Sequence, residues 1–404
     1  MTVLTDIGVL ATCPPDARPQ DDIGLVERAA LVWDDAGDVR WAGPEAELPR
    51  DYAGAARQSA RGGLVVPGLV DCHTHLAFAG DRQDEFVARL RGADYLAQAR
   101  QGGGIAATMR ATRAATEDEL LAGARARLGA MLALGVTTVE AKTGYGLSLA
   151  DELKTLRVYA RLAADGPQRI VPTLLAAHTV PPEFLDDRDA YLRLVCETII
   201  PAADGLAAFC DVFVESGAFT VEEAERVFAA GRAHGMTPKL HADQITDTGG
   251  GALAARVGAA SADHLERVST DGIAALAATG TVAVSLPIAS LVLGVDPLPA
   301  RALLDAGVPV AVATDVNPGS APSLDLHLAL WLACTRQRMT PHEALAGATS
   351  AAARAVGLSG TVGSLVPGAR ADVLLLDAPG VTAWLYDFRP GRVRGVWIGG
   401  RTAL

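Results

Sequence analysis

Two histidines, His73 and His75, stand two positions apart at the end of a short apolar run, residues 64–70. Residues i and i+2 of a strand point to the same face, so the two imidazoles could share a metal ion. Imidazole binds zinc, iron, copper or nickel, and the pair alone therefore leaves the metal open. A His-x-His pair also arises by chance in a chain with eight histidines, so further residues must decide.

Other histidines follow predicted strands in the same way. Those at strand ends are His73, His75, His178, His241 and His264, and Asp315 ends the last predicted strand. In a (β/α)8 barrel the carboxyl ends of the strands meet at one mouth, which would make these residues neighbours. The pattern therefore favours a site that three imidazoles and a carboxylate could build around one ion.

A shell of His73, His75, His241 and Asp315 would leave a metal position open for water. Such a metal lowers the pKa of bound water, to about 7 in favourable zinc sites, and the water becomes a nucleophile at neutral pH. The sequence therefore indicates metal-dependent hydrolysis.

Three members of the set have a second interpretation. His178 could be a core histidine that donates to a backbone carbonyl. His264 could be a fifth ligand, a general base or a hydrogen-bond partner of Asp263. Asp315 could cap a following helix.

Two residues of the predicted loops are candidates for substrate binding. Arg82 lies seven residues after His75, and Tyr145 follows the second predicted strand. Arginine binds a carboxylate through two parallel hydrogen bonds, so Arg82 could hold an anionic substrate. The alternative for Arg82 is an ion pair with Asp81, Asp84 or Glu85.

The elements that would position these residues alternate between strand and helix. Apolar runs predict barrel strands at 64–69, 137–141, 169–176, 210–215, 238–240, 261–263, 281–286 and 309–314, with Ala-, Arg- and Glu-rich helices between them. Eight such units predict an α/β fold, a (β/α)8 barrel over 64–358. The ends, 1–63 and 359–404, are β-rich and predict a small β-sandwich domain built from both termini. A doubly wound open sheet is the competing architecture.

The amino-acid composition limits the classes of molecule that the chain is expected to bind. The chain has 35 Lys and Arg against 47 Asp and Glu, a net charge of −12 without basic clusters, which disfavours nucleic acid and anionic membranes as partners. Five scattered cysteines without a CxxC pair, and no signal-like start, predict a reduced, cytoplasmic protein. The expected partner is a small molecule.

Residues 67–75, Pro-Gly-Leu-Val-Asp-Cys-His-Thr-His, resemble the opening of the amidohydrolase superfamily. A narrower resemblance to the imidazolonepropionase family covers nearly the whole chain, in the segments 78–82, 101–105, 142–147, 177–182, 209–213, 241–244, 261–266 and 315–320. The resemblance implies ring opening of 4-imidazolone-5-propanoate to N-formimidoyl-L-glutamate in histidine degradation.

The resemblance also implies a role for each matching position. His73, His75, His241 and Asp315 would hold one zinc or iron ion, and His264 would be the base, with Asp315 passing a proton to the leaving nitrogen. Contacts to an anionic substrate are implied for Arg82, Tyr145, His178, Gln244, Asn317, Gly319 and Ser320. A homodimer is implied as well.

Two local features bear on the alternatives. Related barrels with two metals need a lysine near the end of the fourth strand, and residues 210–216 contain none, so one metal is expected. Purine and pyrimidine deaminases of the superfamily place a proton-shuttling Glu where this chain has Gln244, which cannot titrate. A mononuclear deaminase and a metal-binding protein without activity stay as alternatives.

Overall fold

The computed structural model describes residues 1–92 and 103–404, and its strands form two sheets of eight strands each. Both ends of the chain contribute to the first sheet, called here the terminal sheet. Its strands are β1 Thr2–Ala11, β2 Leu25–Trp33, β3 Val39–Pro44, β4 Ala56–Ser59, β5 Leu64–Pro67, β14 Val373–Leu376, β15 Val393–Ile398 and β16 Arg401–Thr402. β5 lies between β1 and β14, so it joins the N-terminal strands to the C-terminal ones.

The second sheet is a parallel barrel whose strands follow one another in chain order. They are β6 Leu69–Asp71, β7 Val136–Lys142, β8 Arg169–Ala177, β9 Phe209–Val214, β10 Thr237–Ala242, β11 Ser261–His264, β12 Val282–Ser285 and β13 Val310–Val312. Beyond β6 and β13 the chain closes the ring: Asp315 N donates to His73 O, and His75 N donates to Val316 O, both over 3.0 Å. The (β/α)8 prediction is therefore confirmed over the open doubly wound sheet.

Helices connect the strands. Among the described residues, the α-helices of six residues or more are α1 Gln83–Leu90, α2 Ile105–Ala114, α3 Glu117–Ala133, α4 Leu149–Asp165, α5 Arg188–Leu194, α6 Val221–Ala233, α7 Gly250–Arg256, α8 Thr270–Thr279, α9 Pro287–Leu293, α10 Ala300–Asp305, α11 Leu326–Gln337, α12 Pro341–Gly347, α13 Ser350–Ala355 and α14 Val381–Tyr386. Capping boxes at Thr116, Thr220 and Thr340 satisfy free backbone N–H groups where α3, α6 and α12 begin. Buried apolar side chains of the helices other than α1 cover the barrel in one continuous core.

The run at 64–69 differs from the prediction of a single barrel strand. Its first four residues form β5 in the terminal sheet, and the barrel begins only at Leu69. The chain changes sheets at Gly68, where a Cβ atom would lie 2.4 Å from Thr137 Oγ1. Only glycine allows β6 to approach β7 this closely. The domain limits at 63 and 358 stay a prediction, and they place residues 64–67 with the barrel although these pair in the terminal sheet.

Two further observations concern a glycine-rich segment and membrane-spanning helices. The glycine-rich segment 101–105 lies partly outside the described residues, and its described part leads into α2 from Gly104. Within 1–92 and 103–404, no helix is long and apolar enough to cross a bilayer.

Candidate metal centre and active site

The structure brings the strand-end histidines and Asp315 together at the carboxyl ends of the barrel strands. His73 and His75 follow β6, His178 follows β8, His241 lies in β10, His264 ends β11, and Asp315 follows β13. All six residues are buried. Elements separated by more than 240 positions in sequence therefore supply one compact cluster.

Nitrogen and oxygen atoms of four residues converge at its centre. One ring nitrogen from each of His73, His75 and His241 lies within 4.8 Å of the other two. Asp315 Oδ1 is 3.4 Å from His73 Nε2 and 3.6 Å from His75 Nε2. The buried His73 Nε2 has no hydrogen-bond partner among the described residues. A metal ion fits this donor set, because it would satisfy lone pairs that are otherwise unused.

Carboxylates hold two of the three imidazoles from behind. The Nδ1 of His73 lies 2.6 Å from Asp263 Oδ2, and the Nδ1 of His241 lies 3.1 Å from Asp211 Oδ1. A proton on each Nδ1 donates to the carboxylate, which leaves each Nε2 free as a ligand. Asp211 and Asp263 are site residues that were not predicted from the sequence. The available signal was a buried acid within an apolar strand, which is rare unless the acid is paired.

Burial favours the protonation state that ligation requires. It holds the pKa of His73, His75 and His241 well below the ordinary histidine value, and the neighbouring Lys142 ammonium acts in the same direction. Neutral imidazole is the form that binds metal. Burial also raises the pKa of Asp315 to about 7.

His264 lies at the edge of the cluster with an acid beside it. Its ring centroid is 5.4 Å from that of His241, and its Nδ1 is 3.6 Å from Glu266 Oε1. Ser290 Oγ donates to the same carboxylate oxygen over 3.0 Å. Burial alone would lower the pKa of His264, but the carboxylates of Glu266, Asp315 and Asp263 together outweigh it and raise the pKa.

The alternatives given for His264 and Asp315 can now be compared with contacts. Asp263, offered as a hydrogen-bond partner of His264, is bonded instead to His73 and Ser261. His264 can reach His73 and Asp315 within a group of possible ligand atoms, so a fifth ligand and a base both fit the geometry. Asp315 does not cap a helix, because α11 begins at Leu326 and its cap is Asp325.

His178 and Tyr145 form an aromatic wall next to His75. The His178 ring stacks on His75 with centroids 5.1 Å apart, and Tyr145 lies 5.4 Å from both rings. His178 Nδ1 is 3.1 Å from the carbonyl of Gly144, the backbone bond offered as its alternative role. That bond turns Nε2 away from the backbone, and burial lowers the pKa of His178 to about 4. His178 is therefore a neutral side chain beside the ligands.

The remaining substrate candidates lie on two loops. Arg82 is buried, and its Nε and Nη2 donate to Glu85 Oε2 over 2.9 and 2.6 Å, one of the ion pairs offered as its alternative role. Asn317 Oδ1 accepts the N–H groups of Gly319 and Ser320, both over 2.8 Å, which folds their loop into a turn.

The same loops meet at Gly319. A Cβ atom there would lie 2.0 Å from Arg82 Nη1, so Arg82 passes directly over Gly319. Gln244 is half-buried and follows β10, three residues after His241.

Comparisons with known proteins agree with this architecture. The model of the amidohydrolase family matches residues 64–403. The chain is 47% identical to the imidazolonepropionase of Geobacillus thermodenitrificans, over 98% of this chain and 94% of that protein. It is 49% identical to the imidazolonepropionase of Cupriavidus necator, over 93% of this chain and 90% of that protein.

Solved structures with the same fold are more distant in sequence. Atrazine chlorohydrolase from Arthrobacter aurescens, complexed with zinc, is superposed with a TM-score of 0.72 at 19% identity, over 100% of this chain and 95% of that one. An adenosine deaminase from Xanthomonas campestris with bound zinc gives 0.72 at 20% identity, over 100% and 92%. At such identities these structures establish the fold.

Proposed function

The chain belongs to the amidohydrolase family and, within it, to the imidazolonepropionases, and from this premise we propose that it opens the ring of 4-imidazolone-5-propanoate by hydrolysis. Water adds to the ring carbonyl carbon, the carbon–nitrogen bond breaks, and the product is N-formimidoyl-L-glutamate. The main support for this proposal is the convergence of three imidazoles and Asp315 at the barrel mouth.

The metal would be a single zinc or iron ion held by His73, His75, His241 and Asp315. The donor set supports a divalent metal, and the zinc in two proteins of the same fold agrees with that class. When bound, the metal supplies a water molecule that is activated for attack on a carbonyl carbon. The choice between zinc and iron is left to elemental analysis, because imidazole and carboxylate ligands accept both.

The chain's own residues would move the protons. His264 would accept the proton of the attacking water or stabilise the oxyanion, since the Glu266 carboxylate, 3.6 Å from its Nδ1, favours a positive charge on the ring. Asp315 would pass a proton to the leaving ring nitrogen, a role open to its carboxylate because it lies among the ligand atoms, 3.4 Å from His73 Nε2.

Other residues would bind and orient the substrate. Arg82 and Tyr145 would hold the propionate, which gives an acidic chain a local cation for an anionic substrate. The remaining proposed contacts are His178, Gln244, Asn317, Gly319 and Ser320. The position of His178 and Tyr145 against His75 supports an aromatic wall for a flat heterocyclic ring.

The test is elemental analysis of the sample on which loss of 4-imidazolone-5-propanoate is followed. We expect about one zinc or iron ion per chain and formation of N-formimidoyl-L-glutamate. A metal-replete chain without turnover would point to a metal-binding protein without activity. Release of ammonia from a purine or pyrimidine would point to a deaminase instead.

The homodimer and the cytoplasmic location stay predictions from the sequence. Sedimentation of the purified chain tests the first, and fractionation of cells tests the second.

A further inference from the structure

A layer of buried charge lies directly behind the ligand histidines, on the side away from the mouth. Its members come from strands β7, β9, β10 and β11 and are at most 1% exposed: Glu140, Lys142, Asp211, Lys239 and Asp263. Burial of a charge is costly unless the charge is paired. The reaction proposed at the barrel mouth does not use the two lysines, so another role must account for their burial.

Lys142 connects three carboxylates of this layer. Its Nζ is 2.8 Å from Glu140 Oε1, 2.7 Å from Asp211 Oδ2 and 3.4 Å from Asp263 Oδ2. An ammonium group has three hydrogens to donate and can therefore serve all three acids. Burial alone would lower the pKa of Lys142, but the three carboxylates outweigh it and raise the pKa, which keeps the group charged.

Two of these carboxylates are the ones that hold ligand histidines. Asp211 presents Oδ2 to Lys142 and Oδ1 to His241. Asp263 presents Oδ2 to Lys142 and His73, while its Oδ1 accepts from Ser261 over 2.5 Å. A rotation of Asp211 would therefore break its hydrogen bond to Lys142 together with its bond to His241, and a rotation of Asp263 would break its ion pair with Lys142 together with its bond to His73.

We propose that Lys142 is a positioning residue of the metal centre, which fixes Asp211 and Asp263 and through them orients the rings of His241 and His73. One ammonium on β7 thereby aligns ligands carried by β6 and β10 through acids on β9 and β11. The inference rests on the proposed metal site, because it concerns the ligands of that metal.

The direction in which metal affinity changes when Lys142 is replaced distinguishes a positioning role from a purely electrostatic one. A cation near a metal ion repels it, so the loss of Lys142 would strengthen metal binding if charge alone mattered. Loss of the histidines' alignment would instead weaken metal binding. Residues that hydrogen-bond to ligand histidines typically contribute about 10- to 100-fold to metal affinity.

Lys239 provides a matched control. It is as deeply buried as Lys142, but its ion pair is with Glu140 at 3.8 Å, and its Nζ hydrogen bonds are to the carbonyls of Cys72 and Ala355. A Lys239→Met variant removes a charge that acts on Asp263 more strongly than that of Lys142, without breaking a hydrogen bond to Asp211 or Asp263.

The experiment measures Co²⁺ binding to the full chain by competition with a chromophoric chelator, together with the visible absorption of the bound Co²⁺. For Lys142→Met we expect affinity weaker by about tenfold or more and altered absorption bands. For Lys239→Met we expect wild-type bands and no such loss. Unchanged or tighter binding by Lys142→Met, or an equal loss in Lys239→Met, would overturn the proposal.

A second variant covers the case in which Lys142→Met does not fold. Lys142→Met combined with Asp211→Asn removes one positive and one negative charge, and it is compared with Asp211→Asn alone. A further loss of about tenfold through Asp263 supports the proposal, and equal affinities refute it. If the wild-type chain itself binds no metal, the proposed function fails, a result distinct from failure of the Lys142 role.

Discussion

Arg82 and Gly319 belong to different loops and touch at the mouth of the barrel. The contact is so close that any side chain at 319 must displace the guanidinium. Because Arg82 is long and its far end is what would move, the backbone need not change. The pair therefore allows the substrate-binding role of Arg82 to be tested without removing the arginine.

For Gly319→Ala we expect an increase in KM of about tenfold or more, because a displaced arginine loses a charge-assisted pair of hydrogen bonds to the propionate. Arg82→Ala should show the same signature, with bound metal unchanged in both variants. Steady-state kinetics and elemental analysis provide the measurement.

The matched control for this change is Gly129→Ala, since a Cβ atom at Gly129 meets nothing within 4 Å and the residue lies in α3. It should leave KM as in the wild type. A wild-type KM in both Gly319→Ala and Arg82→Ala would remove Arg82 from the substrate site.

His264 is the residue for which ligation and base catalysis can be separated. For His264→Ala we expect kcat to fall by about 10²- to 10⁴-fold, the usual contribution of a general base, while metal stays near one ion per chain. Single-turnover rates and elemental analysis give the two readings. Loss of the metal instead would reassign His264 as a ligand. His327→Ala is a control. His327 lies in α11, is also buried, and packs on Trp384 and not on the ligand cluster.

At the scale of elements, most of the barrel follows from its apolar runs and their breaks. Predicted strands at 169–176 and 261–263 match β8 and β11 to within one residue. The division of 64–69 between two sheets was not predicted. Val65 and Val66 in the terminal sheet and Leu69 in the barrel are all apolar and buried, and hydrophobicity does not distinguish which sheet a strand joins. Pro67 and Gly68 were the only local sign.

The candidate site shows the same limit. Histidines at strand ends could be predicted because a barrel brings strand ends together. The roles of Asp211, Asp263 and Lys142 could not, although each acid stood out in an apolar strand, because these roles depend on which atoms of the alternate strands β7, β9 and β11 face one another. That arrangement is set by the stagger of the strands, and no single stretch of sequence records it.

Gly68 links the two sheets, and its substitution tests how tightly they are joined. For Gly68→Ala we expect a loss of about 1–3 kcal/mol in the free energy of unfolding, because the new Cβ would meet three side-chain atoms of Thr137. Denaturant unfolding measures the loss.

Thr137→Ala removes two of those atoms, so in the double variant part of the loss should be recovered. Strict additivity of the two substitutions would show that the clash with Thr137 is not the cause.

At the scale of the whole molecule, the proposed metal connects the first and last barrel strands. Its ligands lie after β6, in β10 and after β13, where the ring closes through two backbone hydrogen bonds and through the Asp71 carboxylate, which accepts from Thr314. We expect chelation to lower the melting temperature, since a ligand at 1,000 times its dissociation constant stabilises the folded state by about 4 kcal/mol.

The same chelation should speed hydrogen exchange of the His75 and Asp315 amides, which close the barrel. Calorimetry and exchange mass spectrometry, with zinc re-addition as the control, measure both effects. An unchanged melting temperature in a chain shown to have lost its metal would contradict a ligand role that spans the closure.

The position of β5 has a consequence for synthesis on the ribosome. All four proposed ligands have been made once Asp315 is added, but β14, the partner of β5, begins only at Val373. Until then β5 has an open edge immediately before the strand that leads to His73, and open edges pair with other chains. A nascent or truncated chain that ends between Asp315 and Val373 would therefore contain all four proposed ligands and still aggregate, because β14 would be missing from the edge of β5.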